Sequence, residues 1–348
     1  YALRASDAPA RLAGQFPSAL HLGCSSGTMV EGDALSDDDL TVLAVGFEHT
    51  RLRLATCPLV EAADSRKAGA SIGAQLAAPD LAGVFVLSEG LGVNGSALVD
   101  GLVDRVGPEA VVSGGLAGDG ARFGDTLVTV GGQAASRMVA AVGFYGDRIR
   151  ISHGSAGGWD EFGPHRVITR AEGNVLYELD GKPALDLYER YLGDEAAGLP
   201  ASALLYPLKI SDPAHPQDEV VRTVLAVDHE ARSMTFAGDV PQGWSARLMR
   251  GAFERLTDGA AQAADHAVAG LASSGVRPEL CLFVSCVGRR LLMGQRTEEE
   301  VEAVADALGG DVPMVGFYSY GEIAPQNESK VCGLHNQTVT ITLLGEAA

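Results

Sequence analysis

Two tyrosines and a glutamate fall within five residues of one another in Val312-Pro-Met-Val-Gly-Phe-Tyr-Ser-Tyr-Gly-Glu-Ile-Ala-Pro325. Tyr318 and Tyr320 offer aromatic walls with polar tips, and Glu322 offers a counter-charge for an ammonium group. Gly316 and Gly321 bound them, so the stretch reads as a buried strand running into an aromatic loop. A loop at the carboxyl end of a strand is a natural seat for a small molecule. Arg289 follows the apolar run 280–286 and is placed to clamp a carboxylate. Cys286 precedes Gly288-Arg-Arg290 and is either a thiol activated by a guanidinium or a small buried apolar group. Asn336 would orient the loop from the neighbouring strand.

Other residues carry weaker chemistry. Gly23-Cys-Ser-Ser-Gly27 has the spacing of a nucleophile elbow, which requires a helix straight after the serine. Residues 28–39 are polar and glycine-broken instead, so the segment reads as a tight strand-end turn or as a loop whose Ser25 and Ser26 hold a ligand, with a serine enzyme using Ser25, or a thiol enzyme using Cys286, as the remaining alternative. Gly114-Gly-Leu-Ala-Gly118 ends in Asp119 and is either an anion nest or a plain turn. His21-x-x-Cys24 and Cys332-x-x-His335 would make a zinc site only if the fold joined them. Haem ligation needs a histidine facing an apolar pocket, for which His153, His165 and His335 are the candidates. Trp159, held between Gly157-Gly158 and Gly163-Pro164, either walls a pocket or plugs a domain junction.

The elements that must position these groups occur twice. Residues 84–88 form a β-rich run, Asn94 or Ser96 caps a helix carrying Leu98, Val99, Leu102, Val103 and Val106 on one face, and 110–119 and 137–144 follow as strands. The same order returns with 280–286, a capping box at Thr297-Glu-Glu-Glu300, the strand and loop of 312–322, and a closing strand at 338–345. An Ala-rich helix precedes each unit, at 61–77 and 258–274. A partial third copy spans 21–47, with 40–47 as its closing strand. Between the units, 167–179 reads as a hairpin, Pro183 to Gly193 brackets a helix, and 220–227 pairs with 234–237. The expected fold is α/β with mixed sheets: two pseudo-repeated strand-helix-strand halves and an antiparallel β-rich middle.

With 348 residues, 44 glycines and a net charge of −19, the chain has room for two domains and a surface that repels nucleic acid and anionic membranes. Five cysteines without a CxxC pair argue against a disulfide framework. With no apolar span and no signal peptide, the expectation is a cytoplasmic protein.

Gly316-Phe-Tyr-Ser-Tyr-Gly-Glu-Ile-Ala-Pro325 followed by His335-Asn-Gln-Thr338 resembles the hallmark of the FIST C-terminal domain. Phe283-Val-Ser-Cys-Val-Gly-Arg289 and Glu178-Leu-Asp-Gly-Lys-Pro-Ala184 are similar to other parts of that domain. Gly23-Cys-Ser-Ser26, Gly114-Gly-Leu-Ala-Gly-Asp119 and Gly157-Gly-Trp-Asp-Glu-Phe-Gly-Pro164 resemble the FIST N-terminal domain. The resemblance implies domains at 1–165 and 166–348, the latter divided into a middle segment 166–250 and a second repeat 251–348. It implies a sensory module for signal transduction rather than an enzyme, with an amino acid or similar metabolite as ligand. One subgroup of the family implies a haem protein that senses nitric oxide and regulates a histidine kinase. Tyr318, Tyr320, Glu322, Arg289, Cys286, Asn336, Ser25, Asp119 and Trp159 are the expected ligand-binding residues, and the signal would pass to a separate signalling protein.

Overall fold

The computed structural model describes residues 6–326 and 331–347. The runs Leu81–Ser88 and Leu280–Cys286 are almost continuously apolar, and such strands need both faces covered. Each becomes an interior strand of a six-stranded mixed sheet. The first sheet runs Cys332–His335, Gly321–Pro325, Val111–Leu116, Leu81–Ser88, Met138–Tyr145, Arg51–Pro58. The second runs Ala34–Ser36, Met29–Glu31, Met314–Ser319, Leu280–Cys286, Val339–Glu346, Ile149–Ala156. In both, one parallel pair sits at the centre with antiparallel strands outside it.

Helices cover the outer face of each sheet. Ser65–Leu76 buries Ala68, Ile72 and Leu76, and Gly95–Val106 buries Leu98, Val99 and Leu102, as its apolar spacing requires. Asn94 caps the second of these, its Oδ1 accepting from Ala97 N at 3.1 Å. Phe253–Ala272 and Thr297–Leu308 cover the second sheet through alanines 260, 263, 264 and 267 and through Val301 and Val304. Each fully buried aliphatic side chain contributes about 1.5–3 kcal/mol, so these outer layers hold the main cores.

The two sheets face each other on their inner sides. Gly83 and Gly115 mark the approach: a Cβ on Gly83 would crowd Ile151, and one on Gly115 would crowd Val284 and Phe317 of the opposite sheet. The inter-sheet core is small, centred on Phe144, Ile149, Leu280 and Leu344. A three-stranded sheet, Leu22–Cys24, Val128–Val130 and Gln133–Ala135, flanks the gap. Residues 159–251 form an eight-stranded antiparallel sheet curled as a half-barrel around the helix Ala184–Leu192. The strand Trp159–Glu172 runs through the expected division at 165/166.

Several local expectations are corrected. Residues 314–325 contain no aromatic loop: Met314–Ser319 lies in one sheet and, after Tyr320, Gly321–Pro325 lies in the other. Thr297 does not form a capping box, because its hydroxyl donates to Gly294 O at 2.7 Å and Glu300 turns into the core. The expected strand at 220–227 breaks at Thr223, with His215–Arg222 and Val224–Asp228 in separate pairings. Residues 40–47 form no strand at all.

Candidate functional site

The three glycine-bearing segments meet where the two sheets exchange strands. Gly118 N donates to Ser25 O at 3.0 Å, Tyr318 N to Thr28 O at 3.1 Å, and Tyr320 N to Leu116 O at 3.1 Å. Ser26 Oγ sits in the middle, within 2.6 Å of Thr28 O and 3.0 Å of Tyr318 O. The expected residues therefore do converge, yet their side chains are spent on one another.

Arg289 and Glu300 are both 0% exposed. Arg289 Nε donates to Glu300 Oε1 at 2.6 Å, Nη2 donates to Leu256 O at 2.8 Å, and Nη1 reaches Gly157 O. Tyr318 OH donates to Glu300 Oε2 at 2.7 Å and Ser285 Oγ to the same oxygen at 3.1 Å. Tyr320 OH donates to Asp119 and packs flat on Phe123, with centroids 4.7 Å apart. Burial raises both phenols well above their ordinary range. Arg289 is thus a structural counter-ion with no donor turned to a cavity.

Glu322 is fully buried, accepting from Ser319 Oγ at 2.6 Å and Thr338 Oγ1 at 3.0 Å. Burial lifts its carboxyl to about 7 against the pull of those hydrogen bonds. Burial, with the Glu322 charge nearby, also pushes the Cys286 thiol well above its usual value. Ser25 Oγ accepts from Leu127 N at 2.9 Å. Asn336 Oδ1 accepts from Thr223 N at 3.3 Å, while its buried Nδ2 finds no partner among the described residues. Trp159 plugs the junction, its Nε1 donating to Gln337 O at 2.7 Å and its ring packing on Met249, Leu256 and Met293.

The open space lies elsewhere. A cleft of about 380 Å³ separates the inner faces of the two sheets, within the range of small-molecule sites. Leu54, Phe85, Leu87 and Val142 line it from the first sheet, and Leu282, Val315 and Phe317 from the second. Leu12 of the helix Ala8–Gln15 and Leu40, Thr41, Val42, Leu43, Val45 and Phe47 also line it. Its polar rim consists of His21, Cys24, Ser26, Thr41 and Thr129, and no Asp, Glu, Lys or Arg among the described residues lines it. The apolar surroundings push the Cys24 thiol up to about 12.

The expected residues miss this cleft for a simple reason. Side chains of a strand alternate between faces. In Met314–Ser319, Val315 and Phe317 face the cleft, while Met314 and Tyr318 face the helices. Tyr318 is one residue out of phase with the wall. Of the polar residues weighed in the sequence for binding or metal chemistry, His21, Cys24 and Ser26 reach the cleft, with Gly23 and Gly316 beside them. The signal that could have found the rest is the double-sided hydrophobicity of 81–88 and 280–286, which announces a second apolar face.

None of the haem candidates lines the cleft. His335 Nε2 bonds Ala324 O at 3.0 Å, and burial lowers its pKa to about 4. His165 is exposed and lies 3.2 Å from Ser245 Oγ. His153 is held in the strand pair opposite Thr342. Among the described residues no group of three His, Cys, Asp or Glu side chains could hold a metal ion, so the two His/Cys pairs stay separate. No described helix is long and apolar enough to cross a membrane.

Comparison with known proteins gives a family. Two uncharacterized Mycobacterium tuberculosis proteins, from strains CDC 1551 / Oshkosh and ATCC 25618 / H37Rv, are each 28% identical over 230 residues, covering 63% of this chain. The chain spans 57% of the length of these relatives. The solved structure of phosphoribosylformylglycinamidine synthase II from Thermotoga maritima covers 93% of this chain and 74% of its own, at 9% identity and a TM-score of 0.27. The family model for the FIST N domain matches residues 2–182 and that for the FIST C domain residues 184–325. FIST domains are associated with sensing in signal transduction, and with both models matched end to end this chain belongs to the FIST family.

Proposed function

We propose that the chain is a sensory binding module that holds a small, mainly apolar metabolite between its two sheets and signals through a separate protein. The observation that carries this reading is the 380 Å³ cleft with apolar walls and a rim of hydrogen-bonding groups that, among the described residues, includes no Asp, Glu, Lys or Arg. An apolar ligand with one polar end would lay its body along Phe85, Leu282 and Phe317 and turn its polar end to Ser26 or Thr129. An amino acid fits less well, because its ammonium and carboxylate would be desolvated without a counter-charge. Binding rather than catalysis is favoured by the states of the two candidate nucleophiles: Ser25 is tied to a backbone amide and the Cys286 thiol is held protonated by burial. The three histidines considered for haem, His153, His165 and His335, do not line this cleft.

Calorimetry against apolar metabolites and amino acids tests the proposal, with Leu54→Trp as the control that fills the cleft from an edge strand. Apolar ligands should bind, and the variant should weaken them at least about tenfold. Amino-acid binding that ignores Leu54→Trp would place the sensor site outside the cleft.

A further inference from the structure

Residues 40–47, Leu-Thr-Val-Leu-Ala-Val-Gly-Phe, carry a strand's composition without a strand's partner. The strands Met138–Tyr145 and Val339–Glu346, which close the two sheet units, are each hydrogen-bonded to neighbours on both edges. Residues 40–47 make no backbone hydrogen bond among the described residues. Leu40, Val42, Leu43 and Val45 are 48%, 55%, 39% and 46% exposed. Leu20, also exposed, extends the apolar surface beside the same cleft. An extended apolar segment with free N–H and C=O groups is a template for strand addition.

We propose that this strap docks a second copy of the chain, strap against strap, as an antiparallel ribbon about a two-fold axis. A strand paired with itself in antiparallel fashion is self-complementary, so one edge of each copy is satisfied by the same contact. The register centred on Ala44 sets that small side chain against itself at the axis. It also puts Leu43 opposite Val45, Val42 opposite Gly46 and Thr41 opposite Phe47. At each end Asp39 meets His49, which is already joined to Arg148 at 2.9 Å, so acid faces base across the pair. The strap has no ionisable residue in a chain of net charge −19. The strap itself thus adds no like-charge contact, and the acids that flank it, Asp37, Asp38, Asp39 and Glu48, stand at the ends of the ribbon. The remaining repulsion is long-range and screened by salt.

Sedimentation velocity of the full chain at low and high salt tests the proposal. The expected result is a reversible monomer–dimer equilibrium that tightens as salt is raised. Val42→Pro removes one N–H from each copy, two from the ribbon, and should weaken dimerisation at least about tenfold. It should leave the circular dichroism and melting of the monomer unchanged, because the strap makes no internal hydrogen bonds. Ala44→Cys should form an intermolecular disulfide under mild oxidation. Leu40→Cys, whose copies would lie roughly 27 Å apart in this register, should form none. A wild-type chain that stays monomeric under every condition overturns the proposal. So does a dimer that survives Val42→Pro, or one in which Ala44→Cys fails to cross-link, because the second copy or another partner then docks on a different face.

Discussion

Replacing Glu300 by alanine should cost more than any substitution around the cleft. The carboxylate is the only acidic partner of Arg289 among the described residues, and both side chains are out of solvent. Without it the guanidinium keeps two carbonyl acceptors, Leu256 O and Gly157 O, but no counter-charge. Breaking a buried pair by removing one partner costs about 3–5 kcal/mol. Tyr318 OH and Ser285 Oγ lose their acceptor in the same step. The loss is thus a large fraction of the roughly 5–15 kcal/mol that holds a domain together. With a urea slope of about 3 kcal/mol/M, a 4 kcal/mol loss moves the unfolding midpoint down by about 1.3 M. Trp159 fluorescence is a suitable probe, since its ring packs on Leu256 beside the pair. The double variant Arg289→Met with Glu300→Leu removes both charges and should recover much of the loss, because apolar replacements of buried pairs are often neutral. Additive single and double variants, or a Glu300→Ala shift under about 1 kcal/mol, would refute the structural assignment. They would restore Arg289 as a group free to bind a ligand.

Two further outcomes follow from the same core. The folded chain keeps a proton on Glu322 up to about pH 7, whereas an exposed glutamate releases it near 4.5. Its contribution to stability is therefore fully present below about 4.5 and declines by about 3 kcal/mol as pH rises to about 7. Thermal melts across that window should show the decline in the wild type and a flatter profile in Glu322→Gln, and equal slopes would assign the effect to another group. Asn94→Ala removes the cap that accepts from Ala97 N and should lower stability by about 1 kcal/mol in denaturant titrations; a change near zero would mean that water replaces the cap.

Much of the fold was legible because its signals are local. The apolar faces of 65–76, 95–106 and 253–272, the cap at Asn94 and the bracketing of Ala184–Leu192 by Pro183 and Gly193 all need only a few neighbouring residues. What escaped depends on pairing between distant segments. Gly316 to Gly321 reads as a turn, but Tyr318 and Tyr320 are held by backbone bonds to Thr28 and Leu116. Those bonds keep the chain extended as it passes from sheet to sheet. The short helix Val287–Met293 was hidden in the same way, its buried face consisting of Val287, Gly288, Arg289 and Met293 rather than an apolar stripe. The strap failed for the opposite reason: 40–47 has strand propensity, but propensity supplies no partner.

The residues expected to bind a ligand lie apart from the cleft because polarity was read as availability. Arginine, glutamate and tyrosine at strand ends are the groups a ligand would want, and they are equally the groups that must satisfy one another where two sheets exchange strands. Burial decides between these roles. A polar side chain with no exposure and a full set of internal partners cannot meet a ligand without first abandoning bonds that would be costly to lose. Phe317 and Leu282 have no such commitments, and their faces border open space. The polar cluster and the cleft are still joined through Ser26, whose hydroxyl bonds Thr28 O and Tyr318 O while lining the cavity. A ligand that takes the Ser26 hydroxyl must loosen the seam at which the sheets exchange strands. That gives the cleft a physical route to the rest of the molecule.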